Sequence, residues 1–406
     1  MLRSFRLTNH RSFATEQELS LLPVYDRAQP ALPVAAIYGA NASGKSNLVD
    51  GLAFMRSAVL RSFQSWHPER GVPRHSFRLD PAVRAQPSGY VVDVAIDEVR
   101  YTYGFTASDD RVLEEWLYSY PEKKKRVLFE RLDGRIRFGS TLSGARAKLD
   151  VLYELTRPNA LFLSVAAQSE AELVMPIYRW FLNGVVVHRI SSPNWIAAAS
   201  NVKKFLGDEP VRKRVLLDLL RTADVGISDI QLAEEKVIIG GTADGQPREE
   251  MFTVLVFEHG SSGQMFKFNE ESAGTQAWVT LLPMALETLE YGATLLIDEI
   301  DASLHPLLTA RLIGLFREPG VNPYGAQLIF TTHDASLLGT ALGEEVLARD
   351  QIWFVEKDRN GASRLYPLSD FKPREGENRE RRYLGGSYGA VPVVSASGFA
   401  DAVRED

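Results

Sequence analysis

Apolar residues recur along this chain at two spacings, every second position and every third or fourth, and they predict a definite order of strands and helices. Phe5 and Leu7 alternate with polar neighbours, and Leu19, Leu21 and Leu22 precede Pro23, which predicts an edge hairpin at the start. Val34-Ala35-Ala36-Ile37-Tyr38 is a short β-prone run, and Leu48, Leu52, Met55 and Val59 follow at helical spacing. After a polar, proline-bearing stretch from about Trp66 to Pro87, Val92, Val94 and Ile96 alternate, as do Val99, Tyr101, Tyr103 and Phe105 beyond Asp97-Glu98. Val127/Phe129 and Ile136/Phe138 continue the pattern around Asp133-Gly134, so an antiparallel sheet is expected here.

From Arg146 to about Asp229 the spacing becomes helical, with Leu149, Leu152, Tyr153 and Leu163 and then the charged, leucine-rich segment Val211 to Leu220. Val237/Ile239 and Phe252/Val254/Val256 predict another hairpin over a turn-rich Gly240–Arg248 loop. Trp278, Leu281, Leu282, Ala285 and Leu289 predict a helix capped by Ser272, with Pro283 expected to kink it and leave the Val279 carbonyl without a donor. Ala293 to Ile297 and Gln327 to Thr332 read as buried-type strands. The expected organisation is one α/β head: residues 1–145 with a β-lobe, a helical insertion at 146–230, and the second half of the head at 231–406. No internal repeat or long linker is visible.

Chemistry enters with Gly39-Ala40-Asn41-Ala42-Ser43-Gly44-Lys45-Ser46, which matches the phosphate-cradling pattern G-x-x-x-x-G-K-[ST]. The run follows an expected strand and opens an expected helix, where backbone N–H groups and the helix dipole favour an anion. Lys45 would reach the β- and γ-phosphates of ATP, and the Ser46 hydroxyl would ligate Mg²⁺. A glycine-rich turn with a solvated lysine is the alternative, and the strand–loop–helix context argues against it.

Downstream, Leu295-Leu296-Ile297 ends at Asp298-Glu299. Adjacent carboxylates closing an apolar strand are costly to desolvate without a cation. Asp298 is therefore expected to hold Mg²⁺, directly or through water, and Glu299 to orient or deprotonate the attacking water. The alternative is a pair that caps a turn at the sheet rim. His333-Asp334 closes the next strand, and His333 is expected to report on the γ-phosphate rather than to be a plain surface histidine. Glu271 to Gln276 starts a helix and offers a second anion-friendly surface; an ordinary capped core helix is the competing reading. Two such helix starts cannot easily meet one phosphate from opposite sides within one chain, whereas two chains head to tail can bring them there.

The net charge of −6 provides no general basic field for nucleic acid, so such contact would need a local patch. The basic run Lys123 to Arg126 and the cluster Arg379, Arg381 and Arg382 lack interleaved aromatics and read as solvated faces. The absence of cysteine excludes disulfides, zinc–thiolate sites and thiol catalysis. The start of the chain is too charged for a signal segment and no stretch approaches a membrane span, so a cytoplasmic protein is expected.

With these motifs in this order, the chain resembles an ABC-type ATPase head of the RecF/SMC/OLD branch. It is similar to the bacterial AAA-family proteins typified by the RloA/AbiL-type abortive-infection ATPases. The resemblance is carried by Asn9-His10-Arg11-Ser12-Phe13, by Tyr38 to Ser46, by Glu271-Ser272-Ala273-Gly274-Thr275, by Ile297 to Pro306, by Thr331 to Asp334 and by Tyr388 to Pro392. It implies ATP contacts from Arg11, Gly39, Asn41, Ser43, Gly44, Lys45, Ser46 and Asn47, and a magnesium ion on Ser46 and Asp298. Glu299 and His333 would be catalytic. Ser272, Gly274 and Thr275 would touch the γ-phosphate held by a second subunit, and Asp301 and Ser303 would form a loop across the dimer interface.

The implied protein is an ATPase working as a homodimer, or a higher even-numbered homo-oligomer, that senses infection and governs a separate effector. About 70 residues follow His333, too few for a Toprim nuclease, so such a nuclease would come from another chain. The signature E-S-A-G-T argues against a transporter subunit, and Gln64 is a poor match for the usual Q-loop glutamine. A DNA-binding repair clamp of the RecF/SMC kind is the alternative, which the acidic charge and the lack of a coiled-coil arm disfavour.

Overall fold

A computed structural model of the chain describes residues 1–26, 28–140, 146–189, 194–207, 209–223, 226–241, 247–260, 263–343, 345–371 and 376–392. The chain opens with strands β1 (Leu2–Thr8), β2 (Gln17–Ser20) and β3 (Val34–Tyr38), then helix α1 (Lys45–Ser65) and the short α2 (Pro81–Ala85). Strands β4 (Ser88–Ile96), β5 (Val99–Ala107), β6 (Val112–Tyr120), β7 (Arg126–Leu132) and β8 (Arg135–Phe138) follow, and then helices α3 (Arg146–Glu154), α4 (Phe162–Gln168) and α5 (Met175–Asn183). Next come β9 (Val185–Arg189), α6 (Trp195–Leu206), α7 (Pro210–Thr222), β10 (Ile227–Gly241), β11 (Pro247–His259) and β12 (Met265–Lys267). The last stretch holds α8 (Ala273–Tyr291), β13 (Thr294–Asp298), α9 (Pro306–Arg317), β14 (Gln327–Thr332), β15 (Ile352–Lys357), β16 (Ser363–Pro367) and α10 (Arg379–Leu384).

Two sheets sandwich α1. One is antiparallel, in the order β2-β1-β4-β5-β6-β7-β8. The other runs β16-β15-β3-β14-β13-β9, with all neighbours parallel except the edge pair β15–β16. Every residue of β3 is buried, and its alternation divides them between two cores. Ala35 and Ile37 join Leu48, Leu52, Met55 and Val59 of α1 and the apolar face of the antiparallel sheet. Val34, Ala36 and Tyr38 face the other way, toward Leu281 and Leu282 of α8 and Leu312 and Phe316 of α9. A strand buried on both faces reads as a continuous apolar run, which is what the sequence shows before Gly39.

One departure from the sequence pattern has a local cause. The stretch 146–230, expected to be helical, contains β9, which pairs in parallel with β13 through Val185↔Thr294 to Arg189↔Asp298. Three successive valines after Gly184 favour a strand, and Gly184 ends α5 where a Cβ would come within 2.7 Å of the Trp180 carbonyl. The helices on either side consequently serve different cores: Leu149, Phe162 and Phe181 the first, and Val202, Phe205 and Leu216 the second. Helix α8 runs from Ala273 to Tyr291 with Pro283 buried inside it, where the proline has no N–H to give the Val279 carbonyl. The expected β10–β11 hairpin is longer than the pattern indicates, and residues 242–246 of its loop lie outside the described residues.

Candidate functional site

The loop Gly39–Gly44 leaves the end of β3 and turns into α1 without spare room. A Cβ on Gly39 would collide with the Val355 carbonyl and the Ser43 hydroxyl, and one on Gly44 with the hydroxyls of Ser363 and Ser12. Gly44 also holds φ at 114°, a left-handed value that disfavours other residues. Behind the loop runs a chain of hydrogen bonds. Ser363 Oγ lies 2.5 Å from the Ser43 carbonyl, to which it must donate, and 2.7 Å from Ser12 Oγ. A hydroxyl has one proton, so Ser12 donates to Ser363 and accepts from Asn47 Nδ2 at 2.7 Å. The Ser363 backbone N–H closes the link on the Ser12 carbonyl at 2.7 Å.

Lys45 is buried, and its ammonium donates to the carbonyls of Gly39 at 2.8 Å and Ala40 at 3.2 Å and to His333 Nε2 at 2.9 Å. Burial lowers its pKa to about 8, against the opposing pull of Glu299, Asp298 and Asp301. His333 is lowered too, by burial first and then by the Lys45 cation, so the imidazole is the neutral acceptor.

The acidic side of the site is built on β13 and β14. Asp298 Oδ1 accepts from Thr331 Oγ1 at 2.7 Å, while that hydroxyl oxygen accepts from the Glu299 N–H at 2.7 Å. Thr331 thus fixes both residues of the pair from the neighbouring strand. Glu299 sits at φ 59°, a backbone conformation rare for its type that turns its exposed side chain off the strand. The Asp301 carboxylate accepts from the His333 N–H at 3.2 Å, tying the turn after β13 to the end of β14.

Asn41 to Asn47, Glu299, His333 and Lys357 line one cleft of about 430 Å³. Asn41, Ser43, Gly44, Lys45, Ser46, Asn47, Glu299 and His333 therefore come together, and Asp298 stands directly behind Glu299. Arg11 lies apart, on an adjoining cleft of about 390 Å³ that shares Asn47 and Lys357 with the first. Its guanidinium is ion-paired with Asp50 of α1, which also meets His10 Nε2 at 3.1 Å. Ser272, Gly274 and Thr275 do not line the cleft of their own chain. Ser272 caps α8 through the Thr275 N–H at 3.2 Å, and a Cβ on Gly274 would stand 2.9 Å from the Ser303 carbonyl. Signature and interface-loop residues are neighbours, and Ser303 holds φ at 69°.

The donor set fits a nucleotide phosphate. Ser43 Oγ is buried in the loop without a hydrogen-bond partner, and Lys45 can exchange its loop carbonyls for anionic oxygens. Among the described residues no cluster of three or more His, Asp or Glu side chains could hold a metal by itself. A magnesium ion on Ser46 and Asp298 would thus draw its other ligands from phosphate and water, as that ion commonly does.

Four contributing residues had no role in the sequence reading. Ser12 and Thr331 stand inside quoted motifs, where a hydroxyl next to a phosphate-loop or strand-end acid was the available signal. Lys357, a lysine closing the apolar run Ile352–Val355, had the same strand-end signal as Asp298. Ser363 had none.

A family model described as "AAA domain, putative AbiEii toxin, Type IV TA system" matches residues 34–339, well over half of the chain. No curated protein matches it in sequence. Among solved structures, an SmcHead bound to the C-winged helix domain of ScpA is 13% identical, with 92% of this chain and 99% of that one covered at a TM-score of 0.46. The SMC head domain from Thermotoga maritima is 12% identical, with 90% and 98% covered at 0.40. An Smc head domain with an extended coiled coil, bound to the C-terminal domain of ScpA derived from Pyrococcus furiosus, is 13% identical, with 91% and 97% covered at 0.44. A likeness of this degree says nothing about activity. Among the described residues no helix is long and apolar enough to cross a membrane.

Proposed function

The chain belongs to this AAA family, whose description names the AbiEii toxin of type IV toxin–antitoxin systems, and from that premise we propose that it is an ATP-driven switch of a bacterial defence system. A phosphate-loop domain of this family implies nucleotide binding and NTPase activity. The finer reading is that two copies close around ATP, hydrolyse it, and so control a separate effector, a nuclease of the Toprim kind being the leading candidate.

The observation that carries the reading is the division of the site. Lys45, Glu299 and His333 share one cleft, while Ser272 and Gly274 stand outside it on the start of α8. A second copy facing the first would bring its α8 start to the open side of the triphosphate. Closure would then be favoured by whatever contacts the γ-phosphate makes only in the dimer.

Within the cleft the chemistry assigned to each residue is specific. Lys45 neutralises the phosphate oxygens as charge shifts toward the leaving group. Glu299 holds the attacking water in line and takes its proton as the water oxygen bonds to the γ-phosphorus and the bridging oxygen leaves with ADP. His333, neutral beside Lys45, donates one hydrogen bond to a γ-phosphate oxygen. Magnesium, held by Ser46 and Asp298, supplies further charge neutralisation when bound.

The test is the mass of the Glu299→Gln variant in solution with and without ATP. A dimer that persists with ATP, together with lost turnover, supports the switch. A monomer in both conditions with wild-type turnover overturns it.

A further inference from the structure

The geometry points to Lys357 as a second cation for the nucleotide, contacting the α- and β-phosphate side of the chain of phosphates rather than its γ end. This assignment rests on the nucleotide-binding reading and adds to it a residue outside every motif so far discussed.

The argument begins with strand pairing. Lys357 is directly opposite Ser363 in the antiparallel pair β15–β16. Residues directly opposite in such a pair project to the same face. The Ser363 side chain meets the phosphate loop at the Ser43 carbonyl, so Lys357 projects toward the loop as well. Lys357 accordingly lines the phosphate cleft, and with Asn47 it also lines the adjoining cleft that carries Arg11 and Arg78. Glu299 and His333 line only the first of these clefts, so they mark its γ-phosphate end and Lys357 marks the junction.

Its charge is available for a ligand. Asp358, the acid next in sequence, is engaged by its own turn, where Oδ1 accepts from the N–H groups of Asn360 and Ala362, each at 2.8 Å. Glu356 accepts from the Tyr366 hydroxyl at 3.1 Å. Among the described residues no carboxylate pairs with the exposed Lys357 ammonium. Lys45, in contrast, has all three of its donors occupied by Gly39, Ala40 and His333. A triphosphate entering the cleft needs more positive charge than one such lysine supplies. The Ser363 tether keeps the β15–β16 hairpin, and Lys357 with it, at a fixed distance from the loop.

The experiment is calorimetric titration of ATP and ADP into wild type, Lys357→Ala, Lys357→Arg and Lys45→Ala, with thermal unfolding as the control for folding. Lys357→Ala should weaken ATP and ADP alike by about tenfold, as expected for one charge-assisted contact, and Lys357→Arg should recover most of it. Unchanged affinity in Lys357→Ala, or an arginine variant as weak as the alanine one, overturns the assignment and leaves the nucleotide site intact. A loss confined to ATP overturns it too, since that would put the ammonium at the γ end. Wild-type protein that binds neither nucleotide overturns the proposed function itself.

Discussion

The Lys45 ammonium stands 2.9 Å from Nε2 of His333, although 288 residues separate the two in sequence. Burial depresses the proton affinity of both, and the Lys45 cation depresses that of His333 further. The first expectation follows for pH. With Lys45 lowered to about 8, nucleotide binding above that pH must be accompanied by proton uptake on Lys45. Apparent ATP affinity should fall by up to roughly tenfold per pH unit above about pH 8, and titrations in buffers of different ionisation enthalpy should reveal the proton. The sign for stability is the reverse. The unfolded chain keeps the Lys45 proton up to its ordinary pKa, so the ligand-free protein should gain stability as pH rises from about 8 toward 10.5. Pre-charged binding with no proton taken up at pH 9 would contradict this.

Lys45→Ala and Glu299→Gln should separate binding from chemistry. Removing the one buried ammonium of the cleft should cost at least about a hundredfold in ATP affinity. Glu299 is exposed and its side chain has no hydrogen bond to the loop among the described residues, so its amide variant should bind ATP normally. Turnover should fall by about a hundredfold or more, as for loss of a general base. Equal losses of affinity in the two variants would show that Glu299 acts on binding.

How much of this could be read from sequence depended on how far apart the cooperating residues lie. The phosphate loop and the Asp298-Glu299 pair were legible because each is a short run whose neighbours define its setting. The placing of β3 was legible for the same reason, since burial on both faces requires an unbroken apolar run. β9 was obscured because its valines fall between helices, and only pairing with β13 makes them a strand. The junction of Ser12 and Ser363 could not be anticipated, as 351 residues separate two serines with no distinguishing context.

That junction gives a third expectation. Ser363→Ala removes the donor to the Ser43 carbonyl and the acceptor for the Ser12 proton, while Ser12 Oγ still accepts from Asn47 Nδ2. The variant should lose about 1–3 kcal/mol of stability, read from the urea midpoint. Because the hydroxyl supports the loop rather than the ligand, ATP affinity should fall only severalfold. A wild-type midpoint would mean that the bond chain contributes nothing to folding.

The last expectation concerns which chain completes the site. Gly274→Glu carries a side chain where even a Cβ would press on the Ser303 carbonyl, yet Gly274 does not line the cleft of its own chain. The variant should bind ATP as wild type does and fail to turn it over. Mixing makes the result decisive. Gly274→Glu retains an intact phosphate loop and Lys45→Ala retains an intact signature, so a mixed dimer of the two has one complete site if the signature acts across subunits. Equal amounts of the two inactive variants should then recover ATPase activity, to at most roughly a quarter of wild type when subunits exchange freely. If the signature acted within its own chain, neither protomer of the mixed dimer would hold a complete set. Sustained inactivity of the mixture, with exchange demonstrated, would therefore rule out closure in trans while leaving ATP binding by each protomer untouched.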